Sequence, residues 1–452
     1  MATKPKIVNT NSSVDVINAI VNSALINYDK TIPIATPDAD SIRSIGNIIL
    51  NNPQLSNEFV NTLVNRIAYT RLLMRSYQNP LAVFKQGLLD LGDVIENIFV
   101  EIAKPRTYNP EESETLLFKR EIPDVRTEFF VRNYKKFYPV TISREQLSSA
   151  FLSWDNMDSF ISGIIESLYN AMNYDEFLVI KYLVAKRIID GLMYPVVCET
   201  PDTEQGAKNL AIKIKTYSNE FVNMSTRYNP AGVHTFAPKA NQYLILNSVS
   251  DAQLDVNVMA MAFNMDKAEF VGHKIVTNDF SDLDLERLAM LFEDDPTYVE
   301  PSQEELSALS QIPAILIDEK FFMIVDNLLS MEDAKNSRGL YWNYFLHAWK
   351  TFGTSIFCDS AVFIPATPKV TSVTINPSAI ELAVGSKTQL KANVETTNFA
   401  PKSVNWSSDS ELVTVDAYGR VNVLDGASGE VTITATSTYD TEKKGTCTIT
   451  IS

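Results

Sequence analysis

The sequence has little of what enzyme active sites most often use. Its 452 residues include three histidines and three cysteines, and His234, His273 and His347 have no carboxylate or cysteine at metal-site spacing. The fifteen glycines form no phosphate-binding, dinucleotide-binding or nucleophile-elbow motif. A glycosidase-type pair of carboxylates needs no motif and stays open. The sequence predicts no catalytic, cofactor or metal site, and it favours a structural or binding role over a hydrolase.

Positive charge is also in short supply. Lys and Arg total 39 against 55 for Asp and Glu, which gives a formal net charge of −16. Proteins that grip nucleic acid carry a basic stripe that neutralises phosphates, and no Lys/Arg-rich tail is present. If the protein encloses DNA, we expect it to do so without sequence-specific binding.

Long apolar runs are missing as well. No stretch of about 18 apolar residues predicts a membrane span, and the N-terminus has no apolar segment of signal-peptide type. Cys198, Cys358 and Cys447 are too far apart for a zinc site and odd in number. We predict buried free thiols, no membrane contact, and synthesis in a reducing cytoplasm.

Amphipathic helices are the clearest positive signal in the N-terminal half. Apolar residues recur at helical spacing over residues 14–25 and 55–67. A longer block, 145–191, keeps this spacing without a proline, with Ser143 as the candidate N-cap and Gly191 as the candidate stop. About 30 helical residues would span roughly 45 Å, a length that suits a thin, wide subunit.

The segment 80–142 mixes charges of both signs with aromatic residues. Strand-like runs such as residues 128–131 predict a long hairpin. Because an isolated hairpin is marginally stable in water, this one needs another surface. The residues alone leave open whether a neighbouring subunit or the chain's own domain provides this surface.

Short helices and strands alternate from about 200 to 365. Between Asp282 and Glu305 lie nine acidic residues and one basic residue, Arg287, which predicts a solvated loop. The EF-hand calcium pattern is absent from it.

At about residue 367 the pattern changes to period-2 strands separated by turn signals. We predict an all-β sandwich of about 85 residues, with Trp406 on a central strand as a large core residue. Cys447 is its only cysteine, so an internal disulfide is excluded.

Five segments resemble the major capsid proteins of podoviruses typified by phage phi-29. They are NPLAVFKQGLLDLGDVIENIFVEI from residue 79, FKREIPDVRTEFFVRN, AFLSWDNMDSFISGIIESLYN, LDVNVMAMAFNMDKAEFVG and FFMIVDNLLSMEDAKNSRGLYWNYFLHAW. The C-terminal segments VTSVTINPSAIELAVGSKTQL, DAYGRVNV and GEVTITAT resemble bacterial Ig-like group 2 (BIG2) domains.

The resemblance implies an α+β, HK-97-like capsid fold with a long spine helix and an extended β-hairpin loop, followed by a C-terminal all-β Ig-like sandwich. The domains expected from it are an N-terminal helical arm (1–79), the extended loop (80–142), a peripheral domain with the spine helix (143–199 and 331–366), an axial domain (200–330) and the Ig-like domain (367–452). The acidic stretch at 281–312 looks longer than the family pattern requires, which leaves a scaffold contact or an external decoration open there.

The function implied is that of a major capsid protein. Such a subunit self-assembles, as pentamers and hexamers, into the icosahedral or prolate head of a tailed bacteriophage that encloses double-stranded DNA. It is made in the host bacterial cytoplasm and ends in the virion, and its other expected partners are a separate scaffolding protein and a portal (connector) protein. The Ig-like domain would either clamp capsomers or contact the host surface. The alternative is a bacterial surface or adhesion protein with an Ig-like module, which would need an export signal.

Basic residues of the hairpin segment and the strand after it are the candidate contacts between subunits. We predict that they face acidic surfaces of adjacent copies, because mixed-sign charge sets the register between neighbours. The candidates are Arg106, Lys119, Arg120, Arg126, Arg132, Lys135 and Lys136.

Overall fold

The computed structural model describes residues 44–45, 48, 75–89, 94–108, 120–143, 154–259, 273–293, 295–339 and 341–451. The chain divides into two compact units, a smaller one of residues 1–76, 140–167 and 334–343, and a larger one of residues 77–139, 168–333 and 344–452. The helices predicted at 14–25 and 55–67 lie outside the described residues.

Five α-helices and twenty strands have both ends within the described part of the chain, which also contains short 3-10 turns. The helices are α1 (Trp154–Ile189), α2 (Glu204–Glu220), α3 (Ser248–Met259), α4 (Leu285–Leu291) and α5 (Gln303–Leu309). The strands before the C-terminal domain are β1 (Lys85–Leu88), β2 (Val94–Val100), β3 (Val125–Val131), β4 (Tyr134–Ser143), β5 (Tyr194–Val197), β6 (Gln242–Asn247), β7 (His273–Thr277), β8 (Ala314–Asp318), β9 (Phe322–Asn336), β10 (Tyr341–Thr354) and β11 (Ser360–Ile364).

Helix α1 is the predicted spine helix, and its 36 residues extend for about 54 Å at 1.5 Å per residue. Its C-terminal stop is confirmed. Gly191 has a φ of +67°, its N–H donates to the carbonyl of Ile188 at 3.0 Å, and the N–H of Leu192 donates to the carbonyl of Arg187 at 2.9 Å. This is the helix ending in which a left-handed glycine lets the chain satisfy the last carbonyls. The predicted N-cap, Ser143, does not cap α1, because it ends strand β4 and α1 begins only at Trp154. The residues between them lie outside the described residues.

The main core of the larger unit lies between α1 and a five-stranded sheet of order β5-β11-β8-β6-β7. Strands β8 and β11 are buried along their whole length, because both faces of the sheet are covered. Ile180, Val184 and Ile188 of α1 share one core with the sheet. Leu210 and Ile214 of α2 pack in a second core with other residues of the same sheet.

A second sheet, of order β1-β9-β10-β4, contains the two longest strands of the described chain. Near their turn, in the smaller unit, Asn336 Oδ1 accepts hydrogen bonds from the N–H groups of Arg338 (3.0 Å) and Gly339 (2.8 Å). Thr141 Oγ1 also donates to Asn343 Oδ1 at 2.7 Å within that unit.

The acidic stretch is not the solvated loop that its charge predicted. Helix α4 is capped by Asp284, whose carboxylate accepts from the N–H of Arg287 at 3.1 Å, and its Leu288 is fully buried against Leu178 and Tyr182 of α1. The N–H of Val299 donates to the Tyr182 hydroxyl at 3.1 Å. Most of the described acidic residues of this stretch are exposed, so their carboxylates stay in water while the apolar side chains pack against α1. No group of three or more His, Cys, Asp or Glu in the described part of the chain has the arrangement of a metal site.

The C-terminal β-sandwich is confirmed. Its strands are β12 (Lys369–Asn376), β13 (Ala379–Leu382), β14 (Lys387–Gln389), β15 (Lys391–Thr397), β16 (Val404–Ser408), β17 (Val413–Val415), β18 (Arg420–Val423), β19 (Gly429–Ser437) and β20 (Lys444–Ile451). Val373, Leu390, Ile433, Cys447 and Ile449 are among its buried core residues.

The expectation for Trp406 is corrected. It lies on β16, the edge of the sheet β13-β20-β19-β16, and it is half-buried at the border of the core.

The cysteines agree with their prediction as free thiols: Cys198 and Cys447 are buried, and Cys358 is half-buried. None of the helices in the described residues is long and apolar enough to cross a membrane.

Candidate assembly surface

The predicted hairpin is present as the antiparallel pair β2–β3, which forms a two-stranded sheet of its own. Its register places Val94 opposite Val131, Ile98 opposite Thr127 and Val100 opposite Val125. Side chains alternate between two faces, and every second residue of each strand is half-buried while the others are exposed. We call these the inner face and the outer face of the hairpin.

The inner face packs on the chain's own segment 353–357. Phe99 stacks on Phe357 with ring centroids 5.5 Å apart. The Phe130 ring lies so close to Gly353 that a Cβ there would come within 2.3 Å of it. The Glu128 carboxylate accepts hydrogen bonds from the Ser355 hydroxyl and from the N–H of Ile356. One side of the hairpin therefore finishes its packing within its own chain.

The loop end of the hairpin, where Val100 faces Val125, is also held to the loop 229–235. Arg126 Nη1 donates to the carbonyl of Ala231 at 2.7 Å. Glu101, just after β2, binds His234 twice, through the ring Nδ1 at 2.6 Å and through the backbone N–H at 3.3 Å. Burial raises the pKa of Glu101, but hydrogen bonds from the N–H of Ile102 and from His234 outweigh it and hold the pKa below its usual value.

The strand that leads into the hairpin is held by buried charges. Lys85 of β1 pairs with Glu176 of α1 at 3.1 Å and with Asp326 of β9 at 2.9 Å. Lys350 of β10, which is 2% exposed, pairs with the same two carboxylates. Burial raises the pKa of Asp326, but Lys350 and Lys85 outweigh it and hold that pKa below its usual value. These four charges neutralise one another inside one subunit.

The outer face of the hairpin is different, because no contact from the described part of the chain covers it. Six large apolar side chains on it are between 48% and 61% exposed. They are Val94, Ile98, Val100, Val125, Phe129 and Val131. Soluble monomers rarely leave a contiguous apolar surface of this kind in water, and such a surface marks a contact with another molecule.

The basic residues predicted as contacts do not all lie on this surface. Arg126 is engaged with Ala231, and the Arg132 guanidinium lies 4.9 Å from the centre of the Trp349 ring. Arg106 pairs with Glu121 at 2.9 Å, and both side chains are exposed.

The remaining three described candidates lie nearer to solvent. Arg120 is exposed, Lys135 is exposed with its ammonium 5.8 Å from the Trp349 ring centre, and Lys136 is half-buried. Lys119 lies outside the described residues. Contact of these cations with an adjacent copy stays a prediction.

Sequence reasoning missed the outer face, although β2 carried a signal for it. In the run Val-Ile-Glu-Asn-Ile-Phe-Val, apolar residues occupy both alternating sets of positions. A strand that is apolar on both sides is typical of burial on both sides. The contact candidates predicted from the sequence are instead the basic residues of this segment.

Comparisons with known proteins agree with both resemblances. A family model described as Phi29-like phage major capsid protein matches residues 17–364, and a model of bacterial Ig-like domains, group 2, matches residues 369–449. The major capsid protein of Bacillus phage PZA is 33% identical over 438 residues, which cover 96% of this chain and 91% of the relative. That of Bacillus phage B103 is 34% identical and covers 94% of this chain and 90% of the relative.

A solved structure shares the fold. A chain of the capsid of Staphylococcus phage Andhra superposes with a TM-score of 0.54 at 15% sequence identity, covering 67% of this chain and 88% of that chain. At this identity the likeness concerns the fold.

Proposed function

The chain belongs to the Phi29-like phage major capsid protein family, and from this membership we propose that its hairpin completes its burial on a neighbouring copy in the shell. The protein is a major capsid protein of a tailed phage, with an HK-97-like fold and a C-terminal Ig-like domain, and its place is the capsid of the virion. The alternative of a bacterial adhesion protein is set aside.

The observation that carries the proposal is the uncovered outer face of the hairpin. Its inner face is already anchored by Phe99 and Glu128, so the hairpin cannot turn over to hide its apolar side. Six exposed apolar side chains need a cover of complementary shape. A shell of identical subunits places a copy beside every hairpin. In this proposal the chain's own domain covers the inner face of the hairpin, and a neighbouring subunit covers the outer face.

The test is a double substitution on the outer face, Ile98→Ser with Phe129→Ser, in the full-length chain expressed with its neighbouring phage genes. We expect shells to disappear in electron micrographs, while the unassembled subunit keeps wild-type circular dichroism and thermal unfolding. Ile212→Ser on α2 is the matched control, because Ile212 is 62% exposed and Ile98 is 61% exposed. Normal shells from the double variant would exclude the outer face as a subunit contact.

We propose the finer assignments on the same basis. Residues 80–142 act as the extended loop, 143–199 and 331–366 as the peripheral domain, and 200–330 as the axial domain, although β5 and β11 share one sheet with β6, β7 and β8. A separate scaffolding protein and a portal protein complete the assembly. The DNA inside is enclosed without specific contact, in keeping with the net charge of −16. The protein catalyses no reaction.

For the Ig-like domain we propose a stabilising role in the shell, with attachment to the host surface as the alternative. The test is a chain that lacks the domain. If its shells assemble normally but break easily, the domain stabilises the shell. If the shells are as robust as those of the parent but bind the host less well, the domain serves attachment.

A further inference from the structure

The Ig-like domain is joined to the rest of the chain by a very short connection. Strand β11 ends at Ile364 and β12 begins at Lys369, so four residues link them. The connection is itself held, since Asn398 Nδ2 donates to the carbonyl of Thr367 at 2.9 Å.

The loop after β15 places two adjacent residues in two different cores. Phe399, 9% exposed, belongs to the main core that contains Ile188, Met193 and Ile364. Ala400, which follows it, is fully buried in the core of the Ig-like domain. The aromatic ring of one domain is therefore a packing element of the other.

Polar and backbone contacts fix the same junction. Lys402 Nζ donates to the carbonyl of Ile189 at 3.2 Å, one of the carbonyls that the end of α1 leaves without a helical partner. A Cβ on Gly191 would lie 2.5 Å from the carbonyl oxygen of Ala400. Gly191 thus serves both the turn that ends α1 and the close approach of the Ig-like domain.

The backbone of this loop is in an unfavourable conformation. Asn398 and Phe399 have φ values of +53° and +59°, in the left-handed region that side chains with a Cβ rarely adopt. Two such residues in succession persist where surrounding contacts determine the conformation. Burial of the Phe399 ring supplies such contacts.

We infer that residues 398–402 are a docking segment that fixes the Ig-like domain on the C-terminal end of the spine helix and completes the core beneath it. Every subunit then carries the domain in one orientation. The inference does not depend on the assembly proposal, because both sides of the contact belong to one chain. It also means that deletion of the Ig-like domain removes a core residue from the rest of the subunit, so fragile shells from a truncated chain would have two causes.

Point variants of the full-length, unassembled subunit test this docking. Phe399→Ala should speed hydrogen exchange of the amides at 191–192 at least tenfold, while the amides of β19 and β20 keep their protection. Phe399→Leu, which keeps most of the apolar volume, should show a smaller change. Tyr418→Ala is the matched control, since Tyr418 is an Ig-like-domain aromatic that is 66% exposed. Equal exchange in Phe399→Ala, Tyr418→Ala and the parent chain would overturn the inference.

A second measurement covers the case in which Phe399→Ala does not fold. A protease recognition sequence inserted between Ala366 and Thr367 allows the otherwise unchanged chain to be cut at the connection. A docked domain stays with the remainder of the subunit in gel filtration after cleavage. Separation of the two fragments on cutting would show that only the connection holds them together.

Discussion

The surroundings of the spine helix and the outer face of the hairpin differ in whether their side chains find partners within the described chain. Around α1, Glu176 is 1% exposed in its side chain, yet two lysines of the same chain neutralise it. On the hairpin, Ile98 and Phe129 are each 61% exposed with nothing from the described chain over them. The subunit thus neutralises Glu176 with its own lysines and leaves the apolar side chains of the outer face uncovered by the described part of the chain. Damage at the first region should act on folding, and damage at the second on assembly.

The largest effect on folding is expected from Lys350→Met. The substitution leaves Glu176 and Asp326 buried without their most buried cation. Removal of one partner from a buried ion pair costs about 3–5 kcal/mol. Denaturant unfolding of the unassembled subunit measures this loss. Lys208→Met is the control, because its exposed pair with Glu204 contributes about 0.3–0.5 kcal/mol. If both variants lost the same small amount of unfolding free energy, the buried ion pairs would not be what stabilises this region.

Charge reversal at the hairpin should affect assembly and spare folding. We expect Arg120→Glu with Lys135→Glu to abolish shells, since a loss of roughly 1 kcal/mol per contact recurs at every subunit of the shell. Both side chains are exposed, so the unfolding free energy should stay near that of the parent. Electron microscopy and sedimentation report the shells.

A matched pair, Lys213→Glu with Lys391→Glu, changes the net charge equally on exposed positions of α2 and β15. Shells from this control and none from the hairpin pair would confirm the contact. Abundant shells from the hairpin pair would show that the basic residues of the hairpin do not meet a neighbour.

The smallest effect is expected at the loop end of the hairpin, where Glu101 binds His234. Because the pKa of Glu101 is lowered in the fold, its stabilising contribution is present above its ordinary pKa of 4.5 and is lost as the pH falls through the lower folded value. Glu101→Gln should therefore speed exchange of the β2 amides a few-fold at pH 7, and the difference from the parent should shrink as the pH is lowered below 4.5. Glu96→Gln, on the outer face of the same strand, is the control. A difference that persisted unchanged at pH 3 would exclude the carboxylate as its cause.

Local patterns in the sequence were enough for the elements that local forces determine. Gly191 ends α1 because a glycine and the last helical turn together form the stop, and these residues are adjacent. The alternating strands of the Ig-like domain are likewise visible as pattern. Ser143 does not cap α1, because it is still part of strand β4, which pairs with β10.

Long-range contacts account for what the sequence did not reveal. Glu176 and Lys350 are 174 residues apart, and no local pattern marks either as a buried partner of the other. The hairpin faces could be predicted from alternation, but which face the chain covers depends on Ser355 and Ile356, more than 220 residues from Glu128. The helical fold of the acidic stretch was hidden in the same way, because α4 depends on its contact with Leu178 and Tyr182.

The hairpin also affects how readily a newly made subunit aggregates before it assembles. Besides its apolar face, the β2–β3 pair has backbone edges with which no third strand of the described residues pairs. Free edges and exposed apolar side chains together are what drives irregular strand-to-strand aggregation. A newly made subunit is therefore more open to aggregation before it joins a growing head than after its hairpin is covered.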